Sequence, residues 1–158
     1  MMLRGRDRRR GQAMVEFALI IPIFLLMIFG IIDLGRAVYA YSTLNNAARE
    51  GARVAAVDQT LTHIEDVASG HAVGLGLPVT AVTVEYRSAD DPDDPCPAAA
   101  GTALAVGCTA IVRVAYVYTA ATPLIGRIVG DINMAGESSM NVQFACQQPS
   151  KPQCPVGE

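Results

Sequence analysis

Hydrophobic and polar positions change rhythm several times along this chain. From Ala13 to Ile32 the sequence is apolar for 20 residues, with Glu16, Pro22 and Gly30 as its interruptions. As a helix, that stretch is about 30 Å long, the thickness of a bilayer's hydrocarbon core. Pro22 removes one backbone hydrogen bond, a loss that membrane helices tolerate. The helical pattern then continues past the run. Leu34, Val38, Tyr41, Leu44, Ala48, Ala52 and Ala55 recur at steps of three and four. Small residues (Ala47, Gly51, Ala56) and charged ones (Arg36, Arg49, Glu50, Arg53) fill the positions between. The spacing predicts one rod from Gln12 to Ala56, about 68 Å if unbroken, apolar all round in its first half and amphipathic in its second. The second half has to bury a stripe, most simply on the rest of its own chain.

A second helix is predicted from about Gln59 to Leu75. Asp58 or Thr60 would cap it, Thr62 and Glu65 have capping-box spacing, and Gly74, Gly76 and Pro78 would end it. Its buried stripe would be Leu61, Ile64, Val67, Ala68 and Leu75. Period-two patterns follow. Val79, Val82, Val84 and Tyr86 form one strand, and Thr109 to Thr119 forms the clearest one. Ile132 to Phe144 forms a third, expected to break near Gly136. Between the last two, Thr122 to Gly130 reads as a turn or short helix. Residues 90–97 (Asp-Asp-Pro-Asp-Asp-Pro-Cys-Pro) form a loop, and the proline-bearing tail from Gln147 is irregular. These elements predict an α+β fold: a long N-terminal transmembrane and amphipathic helix, a second helix, a small antiparallel sheet and a disulfide-bonded C-terminal region.

Composition supports a membrane segment. Hydrophobic residues make up 51% of the chain and charged residues 17%, with a mean hydropathy of +0.31. The net charge of -3 hides an asymmetry. Five arginines (Arg4, Arg6, Arg8, Arg9, Arg10) and Asp7 precede the apolar run; what remains has seven basic and 14 acidic groups, a net of -7. A basic tail could bind nucleic acid, but these arginines abut the apolar run, and no aromatic or glycine-rich binding pattern accompanies them. Membrane topology is the better account: arginines flanking a span stay cytoplasmic. The domain after the span is then extracytoplasmic. Its four cysteines (Cys96, Cys108, Cys146, Cys154) read as two disulfides. Three connectivities are open, of which nearest-neighbour pairing is the simplest.

Other chemistry finds little support. No Cys-x-x-Cys pair is present and His63 and His71 lie far from the cysteines in sequence, so no zinc site is expected. Asp90, Asp91, Asp93 and Asp94 lack the glycine and closing glutamate of a calcium loop. No nucleophile–base motif or phosphate-binding glycine loop occurs, so no catalytic residues, no cofactor and no enzymatic role are expected. Asp33 with Arg36, and Glu50 with Arg53, have the i,i+3 spacing of ordinary helix-surface pairs.

The N-terminal constellation is more specific. A basic leader ends in Gly11; the apolar helix starts at once, with Glu16 five residues past the glycine and Phe17 after it. This looks like a type IV prepilin-class site, in which a prepilin peptidase cuts after the glycine and exposes the amine of Gln12. An ionised carboxylate costs several kcal/mol in the apolar interior unless compensated. Glu16 could be compensated by the Gln12 amine of a neighbouring helix; at headgroup depth it would instead simply favour its own helix N-terminus. Three segments resemble the TadE-like family, the pseudopilins of the tight-adherence (Flp-type) pilus. They are Gly11-Gln-Ala-Met-Val-Glu16-Phe17-Ala-Leu-Ile-Ile-Pro22, Gly30-Ile-Ile-Asp33-Leu-Gly35-Arg36 and Asn46-Ala-Ala-Arg49-Glu50-Gly51-Ala52-Arg53.

The resemblance implies processing at Gly11, Gln12, Glu16 and Phe17. It also implies subunit packing through Glu16, Pro22, Gly30, Gly35, Asn46, Arg49, Gly51 and Arg53. Its implied partners are a prepilin peptidase, other pilins and pseudopilins, the inner-membrane assembly machinery and membrane lipid, with no nucleic acid. The expected organisation is a leader over 1–11, a transmembrane helix over 12–33, an amphipathic extension over 34–57 and an extracytoplasmic α+β domain over 58–158. The expected location is the bacterial inner membrane, single-pass, N-terminus cytoplasmic, with passage into a surface pilus. Two rivals stand beside this reading. One is a secreted binding domain released by a leader peptidase acting at Val38 and Ala40, before Tyr41. The other is an uncut single-pass protein that helps assemble the envelope without entering a filament.

Overall fold

The computed structural model describes residues 6–88, 96 and 108–143. The acidic loop that carries Asp90, Asp91, Asp93 and Asp94 lies outside them, as do the C-terminal tail, Cys146 and Cys154. The predicted rod is one helix, α1 (Arg6–Ala55), which runs without a break through Pro22. At 50 residues it is about 75 Å long. The rest of the fold clusters on its C-terminal part. Helix α2 (Leu61–His71) is followed by a 3-10 turn (Val79–Ala81) and strands β1 (Val82–Ser88) and β2 (Cys108–Tyr118). Helix α3 (Pro123–Val129) and strand β3 (Ile132–Asn141) complete it. The three strands form an antiparallel sheet in the order β1-β2-β3, so the expected α+β architecture is the one observed.

β2 runs antiparallel to α1. Its last residue, Tyr118, hydrogen-bonds to Asp33, while beyond its first residue Gln143 donates a backbone hydrogen bond to the carbonyl of Ala56 at 2.9 Å. The sheet therefore has one end near the apolar run and one far from it. Alternation decides which face is buried. Ala110, Val112 and Val114 point onto α1 and α2, whereas Thr83, Glu85, Arg87, Ile111, Arg113 and Glu137 line the other face. The core is built from Leu44, Ala47, Ala48, Ala52 and Ala55 of α1, Ile64 and Ala68 of α2, and the inner strand residues. So many alanines on one helix face let the sheet and α2 approach its backbone closely.

Four local expectations need correction. First, the buried stripe of α1 departs from the predicted one in its first half. Leu44, Ala48, Ala52 and Ala55 are buried as expected, but Leu34, Val38 and Tyr41 are exposed, and Asp33 and Ala40 are covered there instead. Hydrophobicity ranked the large residues first, but the tight space beside the sheet selects small ones. Second, β3 does not break at Gly136. The strand pairs continuously with β2, Gly136 opposite Val114, and crosses α1 there: a Cβ at this position would collide with the Leu44 carbonyl group and the Asn45 nitrogen. The glycine marks a crossing of two backbones. Third, α2 is shorter than expected and lacks the capping box. Its N-cap is Thr60, with no side-chain cap bond. Asp58 acts instead from the preceding turn, its Oδ1 accepting the Thr60 N–H at 2.9 Å and its Oδ2 lying 2.7 Å from His63 Nδ1. Fourth, Leu61 of the expected α2 stripe is exposed, and only Ile64 and Ala68 of that stripe are fully buried.

Cys96 and Cys108 form a disulfide, one of the two nearest-neighbour pairs, and Cys96 N–H bonds to the Tyr86 carbonyl at 3.1 Å. The bridge fastens the far end of β1 to the start of β2.

Candidate assembly surface on the N-terminal helix

The predicted processing residues all lie on α1, and those that follow the glycine are open to the surroundings. Glu16 and Phe17 are exposed, and the Gln12 side-chain amide donates to Glu16 Oε1 at 3.3 Å, one helical turn on. The carboxylate therefore has one neutral partner within the chain and room for a second. Pro22 is exposed, and a Cβ added at Gly35 would meet nothing within 4 Å. The apolar stretch is long enough to cross a membrane, and none of it is buried inside the protein.

The remaining predicted packing residues divide. Asn46, Arg49 and Arg53 are exposed, Arg53 Nε donating to Glu50 Oε2 at 2.8 Å. Gly51 is not available to another subunit. It is buried, and a Cβ there would sit 2.9 Å from Val112 Cγ1 and 3.0 Å from Ala68 Cβ, so it serves the junction of α1, α2 and β2. Gly30 is half-covered by the chain's own α3, since its Cβ position would lie 3.9 Å from Ile125 Cδ1.

What the structure adds is a stripe. Met27, Ile31, Leu34, Val38 and Tyr41 are all exposed and fall at steps of four and three, so they share one face of α1. That face passes from the apolar run onto the outer helix without a change of character. The same helix thus carries two surfaces, one closed by its own domain and one open from Met14 to Tyr41.

Asp33 also differs from its expectation as half of an exposed pair. It is 5% exposed and receives the chain from the far side of the sheet. Its Oδ1 accepts the Ala121 N–H at 3.0 Å, its Oδ2 accepts the Thr122 N–H at 3.2 Å, and its backbone carbonyl accepts the Tyr118 hydroxyl at 2.8 Å. Arg36 lies 3.5 Å from the same carboxylate and stacks 5.8 Å from the centre of the Tyr118 ring. Burial, and then the neighbouring carboxylate, raise the Tyr118 hydroxyl's pKa above its ordinary value. One acid at the end of the apolar run therefore clamps the β2–α3 connection to α1. The sequence offered only an acid at that boundary; partners 88 and 89 residues away left no local trace.

At the other end of α1, Asp58 joins α1 to α2. Burial pushes its carboxyl up, but the hydrogen bonds from His63 and Thr60 outweigh this and hold it below the usual carboxylate range. Tyr86 is pushed up to about 12, by burial and then by the charge of Asp58, and its hydroxyl has no hydrogen-bond partner among the described residues. His71 bonds the Val67 carbonyl of its own helix at 3.0 Å. Among the described residues no group of three or more His, Cys, Asp or Glu side chains is placed to hold a metal.

Comparison with known proteins matches part of this surface. Residues 11–53 match the family model described as TadE-like protein, the family that the N-terminal motifs resemble. No curated protein and no solved structure matches the chain.

Proposed function

With a TadE-like segment over 11–53, which points to a Tad pilus-related protein, we propose that this chain is a pseudopilin. It is cut after Gly11 by a prepilin peptidase and enters, or initiates, a tight-adherence pilus as a minor subunit. Its role is structural, and the chain is a substrate of the peptidase rather than a catalyst. The basic leader faces the cytoplasm, α1 spans the inner membrane once, and the α+β domain lies outside.

The observation that carries this reading is the open apolar face of α1. A helix that needed only an anchor would have no use for exposed Leu34, Val38 and Tyr41 beyond its span. Continued along one face, they offer a neighbouring rod the same docking strip inside the membrane and outside it. Lipid gives little hydrophobic incentive for helices to associate within the bilayer, so packing there rests on shape and polar pairing. After the cut, the Gln12 amine of one rod can pair with Glu16 of the next and favour a single stagger. Outside the bilayer the stripe adds a hydrophobic term.

The fold also weighs against the secreted-domain rival. A cut before Tyr41 would remove Asp33, which holds Ala121 and Thr122, and Ala40 from the core. The test is mass spectrometry of sheared surface fibres. We expect the protein there, with Gln12 as its first residue. Recovery only from membranes, with the leader intact in cells that make normal pili, refutes the proposal and favours the uncut envelope protein.

A further inference from the structure

We propose that α3 is a second membrane contact, whose exposed Ile128 and Val129 enter the outer edge of the lipid bilayer beside α1. The inference rests on α1 spanning the membrane, and it adds a lipid-binding element in the C-terminal domain.

Three observations place α3 at that depth. The clamp at Asp33 holds Ala121 and Thr122, the residues that lead into α3, against the first charged position after the apolar run. Ile125 reaches further in, to Gly30, two residues inside the end of that run at Ile32, or about 3 Å along the axis. The end of α3 not turned to α1 carries two exposed apolar side chains. Ile128 is 77% exposed, as open as Met14 within the span, and Val129 is 55% exposed. Val117, the second-last residue of β2, and Ile132, the first of β3, add exposed apolar surface at the same end of the sheet.

The occupant is lipid because the surface is continuous with one that lipid already covers. α1 residues at the level of Ile125 (Phe29, Ile31 and Ile32) face outward. A side chain that touches Gly30 from outside the helix must share their surroundings. Arg127 is exposed within α3, and its long stem allows the guanidinium to rise to the headgroups while its neighbours descend. A short amphipathic segment of this kind lies in the interface rather than across it. With α1 it makes a two-point attachment, which fixes the tilt of the domain against the membrane.

The chain has no tryptophan, so one introduced residue gives a single emission signal. The full-length protein carrying Ile128→Trp, and separately Val129→Trp, is placed at low density in phosphatidylethanolamine–phosphatidylglycerol vesicles whose acyl chains are brominated at mid-chain, within reach of both the interface and the bilayer centre. Phe24→Trp reports the span, and Glu137→Trp, on the outer face of the sheet, reports the solvent. The proposal expects blue-shifted emission from Ile128→Trp and Val129→Trp, quenched nearly as strongly as Phe24→Trp, with Glu137→Trp unquenched. Emission at both α3 positions as red and unquenched as at Glu137→Trp overturns it. So does a blue shift without quenching that grows with protein density, because a second copy would then cover α3. Loss of quenching at Phe24→Trp as well would bring down the span and this proposal together, whereas quenching there alone spares the span.

Discussion

Replacing Gly136 with alanine should separate β3 from α1, because the atoms in the way are backbone. The added methyl carbon would lie 2.7 Å from the Asn45 nitrogen, and closer still to the carbonyl carbon and oxygen of Leu44. Ordinary contact needs at least about 3.4 Å, so no rotamer change relieves the overlap and the strand must lift by close to 1 Å. A gap of that size forfeits between a quarter and half of the dispersion energy of each contact it opens. Overpacking of a core costs about 1–3 kcal/mol, and a backbone obstacle places this case at the upper end. Alanine offsets about 0.5–1 kcal/mol of that through the lower entropy of its unfolded chain. The net expectation is a loss of about 2 kcal/mol.

For a folded domain of this size, such a loss lowers Tm by about 10 °C. The assay is thermal unfolding of the full-length protein in detergent, followed by tyrosine near-ultraviolet circular dichroism, which reports the domain rather than the span. Gly70→Ala is the control. It lies in α2, and its new Cβ meets nothing within 4 Å. It should raise stability by about 0.5 kcal/mol. If Gly136→Ala melts at or above the parent temperature while Gly70→Ala behaves as stated, β3 does not cross α1 at that point.

Five further outcomes follow from other contacts of the fold. Gly51→Ala should cost about 1–2 kcal/mol, and adding Val112→Ala should recover part of the loss, since Val112 Cγ1 is the nearest obstacle; a double-mutant cycle of melting temperatures measures the coupling. Asp33→Asn turns an acceptor into a donor opposite Ala121 or Thr122 N–H, so hydrogen exchange at those two amides should accelerate while the amides of β2 facing α1 stay protected. Replacing Cys96 and Cys108 with serine together opens a loop with a sequence separation of 12, and urea unfolding should show a loss of roughly 3 kcal/mol on the chain-entropy account. Two of the shifted groups give direct pH tests. Asp58 has a depressed folded pKa, so its contribution is present above about pH 4 and lost as pH falls through the folded value; Asp58→Asn should flatten that acid limb. Tyr86 has a folded pKa of about 12, so it keeps its proton longer in the fold; stability should fall as pH rises past about 10, and Tyr86→Phe should reduce that loss, leaving the part due to Tyr118.

The elements were legible in the sequence wherever one residue pattern served one purpose. The clearest strand was predicted to within a residue at each end, Thr109–Thr119 against Cys108–Tyr118, because its alternation reports burial on one face only. The continuous rod was legible for the same reason. The phase of its outer half was legible from Leu44 to Ala55 but not before Leu44, where two surfaces compete for it. Leu34, Val38 and Tyr41 look like core by hydrophobicity, yet they lie on the open face, and the core chose Ala40, Ala47 and Gly51. Gly136 misled in the opposite sense: glycine within a strand signals either a break or a close approach, and only the position of α1 decides. Asp33 is legible as the first charged residue after the apolar run, but its partners come from residues 118–122, beyond any local window.

Under the proposed function, the division of α1 into a small-residue face and a large-residue face bears on assembly. If the large residues had been buried by the domain, the rod would reach the outside with nothing left to offer a neighbour. Instead the alanines and glycines pack the domain close to the helix axis, which keeps the domain narrow on one side of the rod. Met27, Ile31, Leu34, Val38 and Tyr41 remain free on the other. A subunit that must sit beside copies of similar rods needs this arrangement, because a domain wrapped round the helix would hold its neighbours apart. The division has a consequence for substitutions. Leu34→Ser or Val38→Ser should leave the melting temperature of the isolated protein almost unchanged, because neither side chain is buried, and should lower its yield in sheared fibres. A drop in melting temperature of the size expected for Gly136→Ala would instead place those side chains in the domain's own core.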